Sequence, residues 1–394
     1  RDSSTSRGLG DVYKRQDLHL GKSLGEYDLA EDQRYILKQI LQLIKKESVD
    51  AVLIAGDVYD KAVPSESATR LLDEFLCELA ELGVKTFIIS GNHDSDDRLN
   101  YGSELFQKNK IFISAVYQGE LYHRTLMDEY GEVNVWLLPF VKASQVRHFF
   151  PDKNIRDYET AVRTVLETAG VDKSRRNILV AHQFVAGKGM DPDCAGSETA
   201  AVQSVGLVEK IGYDCFHDFD YVALGHIHAP QRIGRDEVRY CGSPLKYSLS
   251  EAGNEKSVPL ITLGQKGEVR LELIPLEPKR DVRHIRGTVE ELLNRENVGN
   301  TEDFIYATIT DEDVINDVMG IFRQYYPNIV KIDYDNSHTR EINEIDLSAG
   351  IEKKSFGELI EDFYCLMYGC EISSEEMEVM KQAAEEAGII NETD

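Results

Sequence analysis

The sequence predicts an α/β fold built around sheet strands that are covered on both faces. From residue 31 onward, short and continuously apolar runs alternate with segments whose apolar residues recur every three or four positions. Continuous runs are typical of strands buried on both sides, whereas half-exposed strands alternate apolar and polar residues. Four of the runs are followed within two residues by His, Asp or Asn. Because ligands in α/β sheets bind beyond the carboxyl ends of the strands, the pattern also predicts where the functional site lies.

The predicted elements follow one another in a regular order. One helical stripe runs from Ile36 to Ile44, and a second runs from Ala68 to Leu79 after Ser65, a residue type that commonly caps helices. The predicted strands are the apolar runs 51–55 (AVLIA), 86–90 (TFIIS), 135–139 (VWLLP), 177–181 (NILVA) and 221–225 (YVALG).

Composition limits the class of protein. The 394 residues allow two or three domains, and they contain no apolar run of about 18 residues that could span a membrane. The six cysteines include no C-x-x-C pair, which indicates reduced thiols of a cytoplasmic protein rather than a disulfide framework. The formal net charge of −26 argues against a broad basic surface for nucleic acid. An anionic substrate would therefore have to be held locally, by a metal or by a partner.

The chain divides into four segments of different character. Residues 1–16 show neither a strand nor a helix period, and we expect an artefactual or disordered N-terminus in place of an apolar first strand. Residues 17–275 carry the alternating pattern, residues 280–340 predict a small α+β domain, and residues 350–390 predict two amphipathic helices. The last 54 residues hold 15 acidic and 3 basic residues, typical of either a solvated helix face or a partner-binding surface.

Five short motifs carry the chemistry. They are D-x-H at 17–19, G-D at 56–57, G-N-H-D at 91–94, A-H at 181–182 and G-H-x-H at 225–228. Their mixture of oxygen and imidazole donors suits Mn²⁺, Fe or Zn²⁺ better than Ca²⁺. Because residues two apart share one face of an extended segment, D-x-H and H-x-H each present two ligands together. A single motif of this kind is more often structural, but all five in this order indicate a metal centre.

The motifs suit catalysis by a pair of cations. Two cations about 3.5–4 Å apart can grip both oxygens of an in-line phosphoryl displacement. A shared carboxylate lowers the repulsion between them, and Asp57 at its strand end is the expected bridge. Asn92 supplies a neutral oxygen, which limits the negative charge of the site. The site would then present a net positive patch to a phosphodiester although the whole chain is acidic.

The motifs in this order resemble those of the calcineurin-like metallophosphoesterases, and longer strings resemble the Mre-type nuclease branch of that family. The strings are DLHLGKSL (17–24), GDVYD (56–60), SGNHDSDDRL (90–99), ALGHIHAPQ (223–231) and YCGSPLKYSLSE (240–251). The resemblance implies an α/β metallophosphoesterase sandwich of sheets flanked by helices over 17–275, a small α+β capping domain over 280–340, and a C-terminal helical segment over 350–390. The sequence departs from the family at Gln16, where the family has a serine preceded by an apolar strand.

Carried over motif by motif, the resemblance implies two divalent metal ions, Mn²⁺ in the first place and Mg²⁺ as the alternative. One ion would be bound by Asp17, His19, Asp57 and His228, and the other by Asp57, Asn92, His182 and His226. His93 would be the catalytic histidine that acts on the scissile phosphate and its leaving oxygen without binding a metal. Asp94 would orient His93.

The resemblance also implies partners. The capping domain would contact DNA, and residues 350–390 would dock on the coiled coil of an ATPase partner. The complex would hold two copies of each chain, with a homodimer of nuclease domains. The implied function is that of an ATP-regulated, metal-dependent DNA nuclease subunit in DNA repair, recombination and replication. It would act as a 3′–5′ exonuclease on double strands and as an endonuclease on single strands and hairpins.

Several alternatives stay open. The same fold could serve a phosphoesterase for small nucleotides or phosphoproteins, or a non-catalytic scaffold. The loop 242–247 either contacts a backbone phosphate through Lys246 or forms an ordinary turn. For the remaining histidines we expect structural or surface positions; they are His123, His148, His217, His284 and His338.

Overall fold

The computed structural model describes residues 11–15, 17–187, 191–194, 210–294, 296–313, 315–337 and 339, with ten further residues between 357 and 380. The chain divides into two compact units. The first comprises residues 1–308 and 315–333, and the second comprises residues 309–314 and 334–394. None of the helices among the described residues combines the length and the hydropathy that a membrane span requires.

The strands and helices have the following bounds. In chain order the strands β1 to β19 are Asp11–Arg15, Ser23–Leu24, Tyr27–Asp28, Ala51–Ala55, Lys85–Ile89, Ile111–Ser114, Tyr122–Asp128, Gly131–Leu138, Arg176–His182, Val185–Ala186, Ile211–Gly212, Tyr221–Gly225, Gln231–Ile233, Arg235–Tyr240, Ser257–Leu263, Val269–Pro275, Val282–Gly287, Phe304–Ile309 and Ile329–Tyr334. The helices α1 to α8 are Ala30–Glu47, Glu66–Leu82, Asp96–Asn100, Ser103–Phe106, Ala143–Phe149, Tyr158–Thr168, Val289–Leu292 and Val318–Arg323.

Two six-stranded sheets pack face to face and carry helices on their outer faces. The first sheet has the strand order β16-β15-β1-β4-β5-β6, and the second has the order β13-β14-β12-β9-β8-β7. Between them lies an apolar layer in which Leu53 and Phe87 of the first sheet pack with Val135, Ile178 and Tyr221 of the second. Helices α1 and α2 cover the first sheet, and α5 and α6 cover the second. The predicted sandwich of sheets flanked by helices is confirmed.

The predicted strands and helices form close to their expected positions. The run AVLIA is β4, YVALG is β12, and NILVA lies within β9. All three strands are buried along their whole length, as continuous apolar runs require. Helix α2 begins after Ser65, whose Oγ accepts a hydrogen bond of 3.2 Å from the amide of Ala68. The capping rule therefore located the start of this helix correctly.

Strand β1 corrects the expectation that no strand precedes Asp17. It lies inside the first sheet, with Val12 opposite Ala51 of β4 on one side and Ile261 of β15 on the other. The sequence pattern missed this strand because polar residues surround its apolar position. Backbone pairing on both sides holds it, and backbone pairing does not depend on the polarity of side chains. The prediction of disorder is therefore wrong for residues 11–15, while residues 1–10 and 16 lie outside the described part of the chain.

The strand register brings the motif-bearing ends of both sheets together. The parallel neighbours β4 and β5 end side by side, with Ala55 opposite Ile89. In the second sheet, β9 and β12 end side by side, with His182 opposite Gly225. The Nδ1 atom of His182 lies 2.8 Å from the carbonyl oxygen of Ala55, so the ends of the two sheets meet. The motifs after β4, β5, β9 and β12 consequently share one edge of the sandwich.

A small sheet follows the sandwich and contacts its N-terminal part. Its strand order is β17-β18-β19. The hydroxyl of Tyr27 in β3 donates to the carbonyl oxygen of Ile329, at 3.0 Å, and its ring lies 5.8 Å from that of Phe304. Arg280 pairs with the buried carboxylate of Asp32 in α1. These contacts tie the small sheet to the segment that directly follows the D-x-H motif.

The predicted helices of residues 350–390 lie largely outside the described residues. Within the described part of the second unit, Ser373 and Glu376 form a reciprocal cap. The Ser373 amide donates to Glu376 Oε2 at 3.0 Å, and the Glu376 amide donates to Ser373 Oγ at 3.3 Å. The Met377 amide donates to the carbonyl oxygen of Ser373 at 2.9 Å. This arrangement is typical of the first turn of a helix.

Candidate metal centre

Four of the predicted metal ligands lie on backbone of unusual conformation. Asp17, His19, Asp57 and His226 have φ angles of 50°, 43°, 46° and 106°. They make up four of the seven non-glycine residues with positive φ that the described part of the chain contains. Each such conformation costs about 1–3 kcal/mol and persists only where the surroundings enforce it. Here the amide of Asp17 donates to the carbonyl oxygen of Gly56 at 3.1 Å. The amide of His19 donates to the backbone carbonyl oxygen of Asp57 at 2.9 Å.

Glycines in the motifs allow the strand ends to approach each other. A Cβ atom on Gly91 would overlap with the carboxylate and the amide of Asp57. A Cβ atom on Gly225 would overlap with the carbonyl oxygen of Ala55 and with the ring of His182. The G-N-H-D and G-H-x-H motifs therefore need glycine for the close approach of the strand ends.

Asp57 stands at the centre of the predicted ligands, and it is almost fully buried. Its Oδ2 atom lies 3.6 Å from His19 Nε2 and 3.3 Å from His182 Nε2. Ligand atoms of Asp57, Asp17 and His182 all lie within 4.8 Å of one another, and so do those of Asp57, His19 and His93. This position suits a carboxylate shared by two ions.

Other ligand atoms face each other in pairs around Asp57. The Nε2 atoms of His19 and His228 lie 3.0 Å apart. The Oδ1 atom of Asn92 lies 3.0 Å from His182 Nε2 and 2.9 Å from His226 Nδ1. The structure thus brings together the predicted ligands, namely Asp17, His19, Asp57, Asn92, His182, His226 and His228.

The donor set fits divalent cations. The facing Nε2 atoms of His19 and His228 lie within hydrogen-bond distance of each other, and each can bind a cation when it carries no proton. Carboxylate, amide and imidazole donors together suit Mn²⁺, Fe or Zn²⁺. Asn92 is exposed and His93 is half-buried, whereas Asp17, His19 and Asp57 are buried. The centre is therefore open to solvent on the side of the G-N-H-D motif.

Burial and mutual charge set the protonation of the centre. Burial opposes the charge on Asp57, but His182 and His19 outweigh it and hold the pKa of Asp57 well below its usual range. Burial also opposes charge on His182, yet Asp57 and Asp17 raise its pKa to about 9. Burial, together with the charge of His182, lowers the pKa of His226 to about 3. The carboxylates around His182 thus favour a second proton on its ring, at Nε2, and a cation bound at Nε2 would compete with that proton.

Comparison with known proteins agrees with the geometry. The sequence profile of the calcineurin-like phosphoesterases matches residues 10–230. The SbcD subunit of the nuclease SbcCD of Staphylococcus epidermidis is 34% identical over 355 residues, which is 88% of this chain and 91% of that protein. The chain belongs to the calcineurin-like phosphoesterase family. Within this family it is a homologue of the SbcD subunit of SbcCD.

A second sequence profile and two solved structures are also similar to this chain. The profile of the type 5 capsule protein repressor C-terminal domain matches residues 278–368. A solved dimetal phosphatase from Danio rerio is 13% identical, with a TM-score of 0.39, over 68% of this chain and 96% of that chain. A solved protein of Thermus thermophilus is 12% identical, with a TM-score of 0.38, over 67% of this chain and 99% of that chain.

The contacts of Asp94 in the phosphoesterase differ from the prediction. Its carboxylate accepts hydrogen bonds from the amides of Val58, Tyr59 and Gly91, at 3.1, 2.9 and 2.9 Å. Burial and the nearby Asp57 raise the pKa of Asp94 to about 6. The Nδ1 atom of His93 instead donates to the carbonyl oxygen of Asp60, at 3.0 Å. Asp94 therefore holds two loops together, and the His93 ring contacts the backbone of Asp60; the orienting role assigned to Asp94 stays a prediction.

The loop 242–247 is mostly buried and forms contacts within the fold. Lys246 Nζ donates to the carbonyl oxygen of Ala252, at 2.8 Å, and pairs with Asp281. The hydroxyl of Tyr247 donates to the carbonyl oxygen of Leu18, at 2.6 Å, inside the D-x-H motif. The ammonium group of Lys246 is thus bound within the fold, and the contact of Lys246 with a phosphate stays a prediction.

Sequence reasoning missed two carboxylates next to the predicted metal ligands. Asp60 Oδ1 lies 3.4 Å from His19 Nδ1, and Glu251 Oε1 lies 3.4 Å from His228 Nδ1. Both residues belong to strings that carry the family resemblance, GDVYD and YCGSPLKYSLSE, but no spacing rule marks them. Among the other histidines, His123, His148, His217 and His284 are exposed, as predicted, and His338 lies outside the described residues.

Proposed function

We propose that this chain is the nuclease subunit of an SbcCD-type complex and that it hydrolyses DNA phosphodiester bonds with two divalent cations. The observation that carries the proposal is the convergence of carboxylate, amide and imidazole donors on Asp57. The relation to the SbcD subunit of the nuclease SbcCD, over most of both chains, supports DNA as the substrate. The proposed activity is 3′–5′ exonucleolytic on double strands and endonucleolytic on single strands and hairpins.

The ligands divide into two sets that share Asp57. In the proposed arrangement one cation is held by Asp17, His19, Asp57 and His228, and the other by Asp57, Asn92, His182 and His226. The 3.0 Å approach of His19 and His228, and the contacts of Asn92 with both His182 and His226, support this division. When bound, the cations neutralise phosphate charge and lower the pKa of water, which makes hydroxide available near neutral pH. We propose Mn²⁺ as the preferred cation, with Mg²⁺ as the alternative.

His93 is the proposed acid for the leaving oxygen. Because Nδ1 donates to the carbonyl oxygen of Asp60, that nitrogen carries a proton, and Nε2 is the nitrogen proposed to act on the substrate. A protonated Nε2 can donate to the oxygen on which negative charge develops. The amide of His93 donates to Asp57 Oδ1 at 2.9 Å, so the histidine is anchored to the central carboxylate through its own backbone. The half-buried position of its side chain leaves it accessible to a substrate.

The acidic charge of the chain favours a partner that supplies the attraction to DNA. With a net charge of −26, the chain by itself offers little non-specific attraction to DNA, which depends on neutralising phosphates with basic residues. We propose that the ATPase subunit SbcC supplies that attraction and that residues 350–390 dock on its coiled coil. The proposed complex is cytoplasmic and contains two SbcC chains and two copies of this chain, which pair through their nuclease domains. Residues 280–340 act as the capping domain that contacts DNA.

Degradation of end-labelled duplex DNA tests the proposal. The full chain is assayed with Mn²⁺, with and without SbcC and ATP, and His93→Ala serves as the inactive control. Shortening of the duplex from its 3′ ends that requires Mn²⁺, SbcC and ATP is the expected result. Hydrolysis of free nucleotides without cleavage of DNA would favour the small-substrate phosphoesterase. Binding to SbcC without binding of Mn²⁺ would favour the scaffold.

A further inference from the structure

Two carboxylates stand behind the pair of facing histidines. The Nε2 atoms of His19 and His228 point at each other across 3.0 Å. On the far side of each ring, a carboxylate oxygen lies 3.4 Å from Nδ1: that of Asp60 behind His19, and that of Glu251 behind His228. The order of groups is therefore carboxylate, imidazole, imidazole, carboxylate. A carboxylate in this position favours a proton on Nδ1 and leaves the lone pair of Nε2 directed at the space between the rings.

The other two histidines of the centre are held differently. The Nδ1 atom of His182 lies 2.8 Å from the backbone carbonyl oxygen of Ala55, and the nearest carboxylate oxygen behind it, at 3.7 Å, belongs to Asp17, which is itself a predicted ligand. His226 presents Nδ1 rather than Nε2 to Asn92, at 2.9 Å. The ring of His182 thus differs from those of His19 and His228 in having a neutral carbonyl group directly behind it. A negative charge behind a ring makes it a stronger donor than a neutral carbonyl group does.

Glu251 is fixed in place from several sides. It is fully buried, and Lys256 Nζ donates to its Oε2 atom at 2.6 Å. The Tyr247 amide and the Ser248 hydroxyl donate to its Oε1 atom, at 3.2 and 3.0 Å. Lys256 Nζ also donates to the carbonyl oxygen of His228, at 3.0 Å. One lysine therefore holds both the backbone of His228 and the carboxylate behind its ring.

Asp60 is fixed in a comparable way on the opposite side. Lys22 Nζ donates to its Oδ1 atom at 2.8 Å, the same oxygen that lies behind His19. Its carbonyl oxygen accepts the Nδ1 proton of His93, at 3.0 Å. Each of the two carboxylates is thus paired with a lysine on one side and lies 3.4 Å from a histidine of the centre on the other, with hydrogen-bond geometry at His228 but not at His19.

We propose that Asp60 and Glu251 are positioning residues for one and the same metal site, the site that His19 and His228 share, and that they make it the tighter of the two. The inference rests on the proposed two-metal function. Removing a carboxylate of this kind behind a ligating histidine commonly weakens metal binding about 10- to 100-fold. Asp60→Asn and Glu251→Gln keep the size of the side chain and remove the charge. Each substitution should weaken the same single site and leave the other unchanged.

Direct Mn²⁺ titration of the full chain tests this proposal without DNA. The metal-free protein is titrated while the free-ion electron paramagnetic resonance signal is followed, which counts the bound ions and gives their dissociation constants. The wild type should bind two ions. Each variant should retain one unchanged site and show one site weakened about 10- to 100-fold, and the double variant should still hold one ion with the affinity of the unchanged site. A purely structural effect would weaken both sites together.

Matched substitutions of exposed carboxylates provide the controls. Glu255, in the same loop as Glu251, and Asp73, in α2, are both exposed. The variants Glu255→Gln and Asp73→Asn should each bind two ions as the wild type does. Thermal unfolding of each apoprotein identifies variants that do not fold. Glu251→Gln leaves the buried Lys256 without its charged partner and can therefore prevent folding. If it does, the test relies on Asp60→Asn, because Asp60 is less buried than Glu251.

Two results would overturn the inference: unchanged binding of both ions by folded Asp60→Asn, or equal weakening of both sites. The proposed function is tested separately, with the wild-type chain. A wild-type chain that binds two Mn²⁺ ions of unequal affinity, but does not cleave DNA with SbcC and ATP, refutes the nuclease function and leaves the positioning roles standing.

Discussion

The Nδ1 atom of His182, at the end of β9, lies 2.8 Å from the carbonyl oxygen of Ala55, at the end of β4 in the other sheet. A carbonyl group can only accept, so the proton of the ring lies on Nδ1, and Nε2 is directed at Asn92 and Asp57. This one contact joins the two halves of the sandwich and selects the nitrogen that a cation can use. The metal centre therefore depends on how the sheets are packed as well as on the ligands themselves.

Gly225→Ala should disrupt this junction. Its Cβ atom would overlap with the Ala55 carbonyl oxygen and the His182 ring, so the two strand ends would have to separate. Overpacking of a rigid interior costs about 1–3 kcal/mol in the free energy of unfolding, and displacement of His182 should also weaken Mn²⁺ binding. Urea unfolding and Mn²⁺ titration measure the two effects.

Gly253→Ala is the matched control for this substitution. A Cβ atom on Gly253 would meet nothing within 4 Å. The control should retain the stability and the Mn²⁺ affinity of the wild type. Equal behaviour of the two alanine variants would show that the junction between the sheets tolerates a wider separation than the structure indicates.

The ligands were predictable from sequence because each lies in a contiguous motif at a strand end. D-x-H and G-H-x-H directly follow strand ends, and the common edge of the sheets brings their side chains together, although Asp17, His19 and His226 have positive φ angles rather than extended backbone. Asp60 and Glu251 were not predictable as supports. Glu251 reaches His228 through a loop, and Asp60 reaches His19 from a different strand end, so these pairs exist only in the tertiary structure.

Strand β1 shows a second limit of sequence patterns. Its five residues, DVYKR, have no continuous apolar run, although the strand lies between two neighbours. An interior strand gains backbone hydrogen bonds along both edges, and this gain is independent of its sequence. Patterning also did not reveal that the strands divide between two sheets, because a strand covered by a helix and a sheet has the same apolar character as one covered by two helices.

His93→Ala should separate metal binding from catalysis. The side chain contacts the carbonyl oxygen of Asp60, whereas the bond from its amide to Asp57 persists in the variant. Loss of a general acid typically lowers the rate about 10²- to 10⁴-fold. Mn²⁺ titration should still give two bound ions, while DNA cleavage falls in kcat. The exposed His148→Ala serves as control. Loss of Mn²⁺ in proportion to activity would make His93 a ligand instead.

Arg280→Ala should destabilise the fold through Asp32. The Asp32 side chain is 1% exposed, and the Arg280 guanidinium both pairs with it and lies 4.4 Å from the centre of the Phe304 ring. Removing one partner of a buried ion pair typically costs about 3–5 kcal/mol, because the other charge is left buried. Arg280 is partly exposed, so we expect the lower end of this range. Urea unfolding measures the change.

Arg34→Ala provides the comparison for the buried pair. Arg34 pairs with Glu74, and both side chains are more than one-third exposed. Exposed pairs contribute about 0–1 kcal/mol, so this variant should unfold almost as the wild type does. If the two arginine variants lost the same stability, the buried pair would have no special importance for attaching the small sheet to α1.

Asp94→Ala should affect the architecture of the centre rather than the chemistry of His93 alone. The carboxylate accepts three backbone amides, two from the loop after β4 and one from the loop after β5. Each buried donor left without an acceptor costs about 1–3 kcal/mol, and release of the loops displaces Asp57 and Asn92 together. We therefore expect lower stability in urea and weaker binding of Mn²⁺ at both sites. A variant with normal stability and two normal Mn²⁺ sites, impaired only in kcat, would instead restore the role of Asp94 as the residue that orients His93.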